Sequence, residues 1–118
     1  MKKILVNEGE NREEKICRVV QNDFVVEIRD VFRIKVSSKE EINIVMKLYE
    51  FSLADVLVAK PKLDSLNVKI MLYQMTRAIH YLHMKGICHR DIRPSNFLIN
   101  SKGRLFLSDF GSAKSKKS

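Results

Sequence analysis

Three side chains are of the right kind to hold a divalent cation beside a phosphate: Asp91, Asn96 and Asp109. Carboxylate and carboxamide oxygens are hard donors that suit Mg2+, whose shell is completed by water and phosphate oxygens. Spacing matters as much as type. Phe97 to Asn100 and Arg104 to Leu107 are two short β-favouring runs. Ser101-Lys102-Gly103 supplies a turn between them, with Gly103 free to take positive φ. A hairpin brings its own ends together. Asp91 and Asn96 precede its first strand and Asp109 follows its second, so the three can face one cavity.

The surrounding stretch, Ile87 to Lys114, resembles the catalytic loop and metal loop of a eukaryotic protein kinase. His89, Arg90, Asp91, Pro94 and Asn96 meet the first pattern, and Asp109-Phe110-Gly111 meets the Asp-Phe-Gly triplet. Either piece alone is modest. Both, in order and separated by a hairpin, are specific. The runs Gly86 to Ile92 and Asp109 to Lys114 most resemble the glycogen synthase kinase group, with cyclin-dependent kinases next.

The resemblance implies a role for each residue. Asp91 would orient the substrate hydroxyl and take its proton. Arg93 stands where the family has a lysine that contacts the transferring phosphate; it keeps the charge but replaces a compact ammonium with a planar fork. Asn96 and Asp109 would hold Mg2+ against the phosphates of ATP. Lys2, with Lys3 as the fallback, would contact the α and β phosphates, oriented by Glu13. Leu48 and Tyr49 would offer backbone groups to the adenine edge, Met46 would be the gatekeeper, and Leu98 would form the floor. His89 would brace the loop from its buried side, and Phe110 would pack under the regulatory helix. Arg90 would turn to solvent or towards Asp109. Outside this pattern, Asp91, Asn96 and Asp109 would read as ordinary turn residues.

The elements that must position these groups are legible in outline. Met1 to Val6 reads as a strand, broken by Asn7 to Glu10. Asn11 reads as a helix N-cap with Glu14 as capping-box partner, and Ile16, Val19 and Val20 give a stripe up to Asn22. Phe24 to Ile28 reads as a strand, Phe32 to Val36 continues the alternation, Ser37 to Glu41 is a polar connection, and Ile42 to Leu48 is a further strand. Ser52 caps a short helix through Ala59, stopped by Pro61. Asp64 or Ser65 caps the longest helix, whose stripe is Val68, Met71, Leu72, Met75, Ala78, Ile79 and Leu82, with Gly86 at its end. That helix is expected to be buried on more than one side, with Met71, Met75 and Met84 as core filler. His80 and His83 on it read as packing or surface residues.

The fold class that follows is α+β, a partial protein-kinase-like fold. Residues 1–48 form a small-lobe remnant, 49–52 a hinge beginning around Lys47-Leu48-Tyr49, 53–114 the start of a large lobe, and 115–118 a basic tail. An apolar fraction of 45% supports a packed core. No run reaches the length of a membrane span, and Ile4 to Val6 is too short for a signal-peptide core. Cys17 and Cys88 fit no metal or disulfide spacing and read as reduced thiols of a cytoplasmic or nuclear protein. The net charge of +8 reads as a solvated basic surface, with only Lys114, Lys116 and Lys117 clustered at an end expected to fray. No aromatic-rich sheet or zinc spacing points to nucleic acid, so the expected partner is a protein.

The resemblance covers the whole chain, but the chain covers less than half a kinase. The Gly-rich loop, the activation segment, the Ala-Pro-Glu motif and the later large-lobe helices have no counterpart among these residues. Two readings follow: a Ser/Thr kinase segment with a preserved cleft for ATP and Mg2+, or a non-catalytic remnant that binds nucleotide weakly and docks to a partner through large-lobe surface left uncovered.

Overall fold

The computed structural model describes residues 1–6, 10–60 and 62–116. Strands β1 (Lys2–Val6), β2 (Ile28–Val36) and β3 (Lys39–Met46) form an antiparallel sheet in the order β1-β3-β2. The central strand buries Ile42 and Ile44 completely, because it has neighbours on both edges and a helix across one face. That helix, α1 (Arg12–Val19), packs through Ile16 and Cys17.

Four expectations for this region are corrected. Helix α1 stops at Val19, which is exposed; Val20 is already extended, so the helix does not reach Asn22. Asn11 does cap it, its Oδ1 accepting from Glu14 N at 3.0 Å, but the Glu14 carboxylate turns to Arg33 and Arg18 and does not close a capping box. Of Phe24 to Ile28, only Ile28 belongs to a strand of the sheet, as the first residue of β2. Leu107 N donates to Phe24 O and Val26 N donates to Leu107 O, so the segment is stitched instead to a different hairpin, and Val25 and Val26 are both buried. The polar stretch after Ser37 is not a plain connection. Ser37 adopts a positive φ of 59°, the chain turns, Lys39 pairs with β2, and Glu40 and Glu41 pair with both β1 and β2. Charged side chains concealed that strand, because its pairing is made by the backbone.

A second antiparallel sheet runs β4 (Phe51–Ser52), β6 (Phe97–Ile99), β7 (Leu105–Leu107) in the order β4-β6-β7. Ser52 caps α2 (Leu53–Ala59) in a reciprocal box with Asp55. Pro61 lies outside the described residues. Asp64 caps the twenty-residue α3 (Ser65–Met84). Gly86, at φ +73°, ends it as expected. The expected many-sided burial of α3 does not hold. Only Gln74, Ala78 and Leu82 are buried, while Val68, Ile70, Leu72 and Met84 are exposed. One face meets β7 and β5 (Ile87–Cys88), and two tyrosines reach the segment after α1, Tyr73 edge-on to Phe24 and Tyr81 Oη accepting from Gln21 N at 2.8 Å. Gln74 fastens that face, its Oε1 accepting from Leu105 N at 2.9 Å. The basic end is also more ordered than expected: β8 (Lys114–Ser115) pairs with β5, and Lys116 N donates to Gly86 O. Lys117 and Ser118 lie outside the described residues.

The buried centre joins the two sheets through Phe97, Leu105, Leu107, Phe110 and Leu82. Full burial of each such side chain stabilises by about 1.5–3 kcal/mol. Among the described residues, no helix is long and apolar enough to cross a membrane.

Candidate active site

The β6–β7 hairpin forms at the place its sequence indicated, with Phe97 opposite Leu107 and Ile99 opposite Leu105. It brings Asn96 beside Ser108. Ser108 N and Oγ both donate to the Asn96 carbonyl, at 2.8 and 3.1 Å. On the other side of Ser108, its carbonyl lies 2.8 Å from His89 Nε2. A carbonyl only accepts, so the proton is on Nε2. That leaves Nδ1 to accept from Asp91 N at 3.2 Å. The buried His89 ring also meets Phe110 edge-on, with centroids 5.7 Å apart. One neutral imidazole therefore ties the loop carrying Asp91 to the backbone just before Asp109.

Asp91 is held from two directions. Asn96 Nδ2 donates to its backbone oxygen at 2.8 Å and to Oδ2 at 3.1 Å. The Arg93 fork reaches both carboxylate oxygens at 3.0 Å. Such bidentate pairs are among the stronger charge-assisted contacts, but Arg93 is largely exposed and water weakens this one.

The third group centres on Lys2. Its Nζ donates to Glu13 Oε2 at 2.8 Å and lies 3.6 Å from Asp109 Oδ1. Burial alone would lower the Lys2 pKa. The Glu13 hydrogen bond and the charges of Glu13 and Asp109 outweigh that and raise it above the ordinary lysine value. Asp109 takes φ +62°, a left-handed conformation that costs a non-glycine residue about 1–3 kcal/mol. Its Oδ1 accepts from Gly111 N at 3.1 Å, which helps to hold it there. Arg90 is also left-handed, at φ +67°, and its Nε donates to Ser112 O at 2.7 Å, so it turns towards the Asp109 loop.

Lys2, Glu13, Met46, Leu98, Asp109 and Phe110 line one cavity of about 220 Å³. Asp91, Arg93 and Asn96 form a second cluster, joined to the first through Ser108. Leu48 and Tyr49 line neither. The Leu48 side chain is 90% exposed, and Tyr49 packs on Phe106 with ring centroids 5.0 Å apart. A larger concavity of about 1030 Å³ opens beside Tyr49, Glu27 and Arg104. It contains none of the Asp91, Asn96 or Asp109 chemistry, so size is a poor guide to the site here.

Among the described residues, no three His, Cys, Asp or Glu side chains converge on a point. The available donors are one carboxylate, Asp109, and the carboxamide oxygen of Asn96. That set is too small for a protein-only cage, but it suits Mg2+, which is commonly held by one or two protein ligands with phosphate and water. Two contributors were missed in the sequence. Ser108 joins the two clusters, and its only mark was a hydroxyl beside Asp109. Cys17 lines the cavity from α1; burial first, then the nearby Glu13 charge, push its thiol up to about 12, which keeps it slow to react while it stays buried.

The sequence profile described as the protein kinase domain matches residues 2–118. The chain belongs to the protein kinase family. It is 40% identical over 104 residues to the probable serine/threonine-protein kinase glkA of Dictyostelium discoideum, across 88% of this chain and 22% of that protein. It is 38% identical over 104 residues to the serine/threonine-protein kinase NLK2 of Xenopus laevis, across 87% and 23%. It is 37% identical over 112 residues to glycogen synthase kinase 1 of Pyricularia oryzae, across 88% and 28%. The chain thus spans about a quarter of the length of these relatives. Kinases of this family use ATP with Mg2+ and act on proteins.

Proposed function

We propose that these residues form the nucleotide-facing part of a serine/threonine kinase, which transfers the γ-phosphoryl group of ATP to a protein hydroxyl. Residues 1–48 would make the small-lobe side of the cleft, 49–52 the hinge and 53–114 the large-lobe side. One observation carries the reading: the Lys2 ammonium bridges Glu13 on α1 and Asp109 after β7, so a cation for phosphate and a carboxylate for metal share one cavity.

In this reading Lys2 binds the α and β phosphates and Glu13 keeps it aimed. Leu98 and Met46 bound the base, and the backbone at Leu48 and Tyr49 meets its edge. Asn96 and Asp109 would hold Mg2+, which supplies charge neutralisation for the phosphates when bound. Asp91 accepts the hydroxyl proton as the new O–P bond forms and the bond to the ADP oxygen breaks. Arg93 releases Asp91 to meet the transferring group, exchanging one carboxylate for another anion.

The fork of Arg93 on both Asp91 oxygens also favours a second reading, in which the base stays occupied and the chain binds nucleotide without turnover. Residues 1–118 contain no Ala-Pro-Glu sequence, so a polypeptide of these residues alone should turn over far below the roughly 1–100 per second of the family. Transfer of labelled phosphate from ATP to a general acceptor protein separates the readings. Slow labelling that disappears in Asp91→Ala is the expected result. Equal labelling by both chains would reject the role of Asp91 and leave the binding reading.

A further inference from the structure

Glu13 and Glu14 are adjacent, so their side chains leave α1 about 100° apart. They go to opposite edges of the same sheet. Glu13 meets Lys2 on edge strand β1, and Glu14 meets Arg33 on the other edge strand, β2. The second contact is the better made. Arg33 Nη2 donates to Glu14 Oε1 at 2.7 Å and Nε donates to Oε2 at 2.9 Å, a two-pronged grip. Arg33 Nη1 also donates to Glu40 Oε2 at 2.6 Å, which adds the central strand. Arg18 adds a fourth group from the next turn of the helix, at 3.2 Å from Glu14 Oε2.

The Glu14 and Arg33 side chains are 9% and 26% exposed, against 10% and 39% for Glu13 and Lys2. Shelter from water and salt strengthens an ion pair. The firmer of the two tethers is therefore the one that faces away from the site. Helix α1 has just eight residues and buries two apolar side chains, so little else fixes its rotation. Turning it enough to take Glu13 off Lys2 would drag Glu14 off Arg33.

We propose that Glu14, Arg33 and Glu40 are positioning residues that set the rotation of α1 and so present Glu13 to Lys2. None of the three lines the nucleotide cavity. The consequence for nucleotide binding rests on the cleft reading above; the consequence for α1 does not.

Cys17 provides a reporter that needs no nucleotide. It lies on α1, is 4% exposed, and faces the cavity. In a Cys88→Ser background it is the one thiol left in the chain. Its rate of alkylation by N-ethylmaleimide is compared in the parent, Arg33→Lys, Arg33→Glu, Glu14→Arg and the Glu14→Arg/Arg33→Glu swap. Binding of a fluorescent ATP analogue with Mg2+ and urea unfolding are followed in parallel. Arg33→Lys keeps the charge and loses the fork, so it is the deciding variant if the charge reversals unfold the chain. The expected result is alkylation faster by about tenfold in Arg33→Lys, with weaker analogue binding and an unfolding midpoint close to the parent. The swap should move both readouts only part of the way back, because it sets like charges against Arg18 and Glu40. Parent-like protection of Cys17 in Arg33→Lys would overturn the proposal. So would faster alkylation that tracks global unfolding alone. If Cys17 responds as described while no variant, parent included, binds the analogue, the positioning role stands for α1 and the cleft reading fails.

Discussion

At the scale of residues, Gly111 carries a demand that its backbone does not announce. Its φ is not in the left-handed region, so conformational freedom does not explain a glycine here. Space does. A Cβ at this position would lie 3.1 Å from Asp109 Oδ1, 3.5 Å from Lys2 Nζ and 3.7 Å from Glu13 Oε1. The added methyl makes the Asp109 carboxylate shift by a few tenths of an ångström beside the ammonium. Gly111→Ala should therefore weaken Mg2+-dependent ATP binding by about tenfold, about 1.4 kcal/mol, with little change in thermal unfolding. Calorimetric titration and a melting curve check this together; parent affinity with a lowered melting temperature would refute it. Arg93 makes a different case. Its fork on Asp91 is exposed, and contacts of that kind contribute about 0.2–1 kcal/mol. Arg93→Ala should weaken ATP binding by less than about fivefold, and Arg93→Lys should stay near the parent. An alanine variant equal to the parent in the same titration would show that this side chain never reaches the phosphates.

At the scale of elements, ion pairs and single polar contacts fix what apolar packing leaves loose. The Arg33 hydrogen bonds, opposed by burial and helped by Arg18, hold the Glu14 pKa below the usual carboxylate value. A carboxyl whose pKa is depressed on folding adds stability above its unfolded pKa, about 4.3 for Glu. That stability is lost as pH falls through the lower folded value. Glu14→Gln should thus be less stable than the parent at neutral pH, and the gap should begin to narrow as pH falls below about 4.3. Urea unfolding at pH 7 and pH 3.5 measures both; a gap independent of pH would contradict the pairing. A polar contact fastens helix α3 in the same way. Gln74→Leu leaves the buried Leu105 N–H without its acceptor, which costs about 1–3 kcal/mol. The loss should appear in unfolding curves and spare the Cys17 environment on α1.

What was legible follows the same physics. The hairpin, the caps at Asn11, Ser52 and Asp64, and the end at Gly86 are local, and each has its own turn or capping chemistry. The Lys2–Glu13 pair was legible only through the resemblance to kinases, since eleven positions separate the two. Three things were hidden. Lys39 to Glu41 is a strand by backbone pairing that its charges mask. Val25 and Val26 serve the distant β7 strand, which alternation cannot reveal. The apolar stripe of α3 suggested burial, but periodicity says only which face is apolar and not what covers it.

At the scale of the molecule, the sheets and helices of the described residues bring a cation from the first strand to a carboxylate near the end of the chain. The interval from Lys2 to Asp109 spans nearly all the described residues, so the site exists only when the whole fold forms. We propose that this site holds ATP through Mg2+. Isothermal titration of the purified chain with ATP, with and without Mg2+, tests it most directly, beside Asp109→Asn. Clearly tighter binding with Mg2+ in the parent, and no such gain in Asp109→Asn, is the predicted result. Equal affinity in the parent with and without Mg2+ would contradict the account.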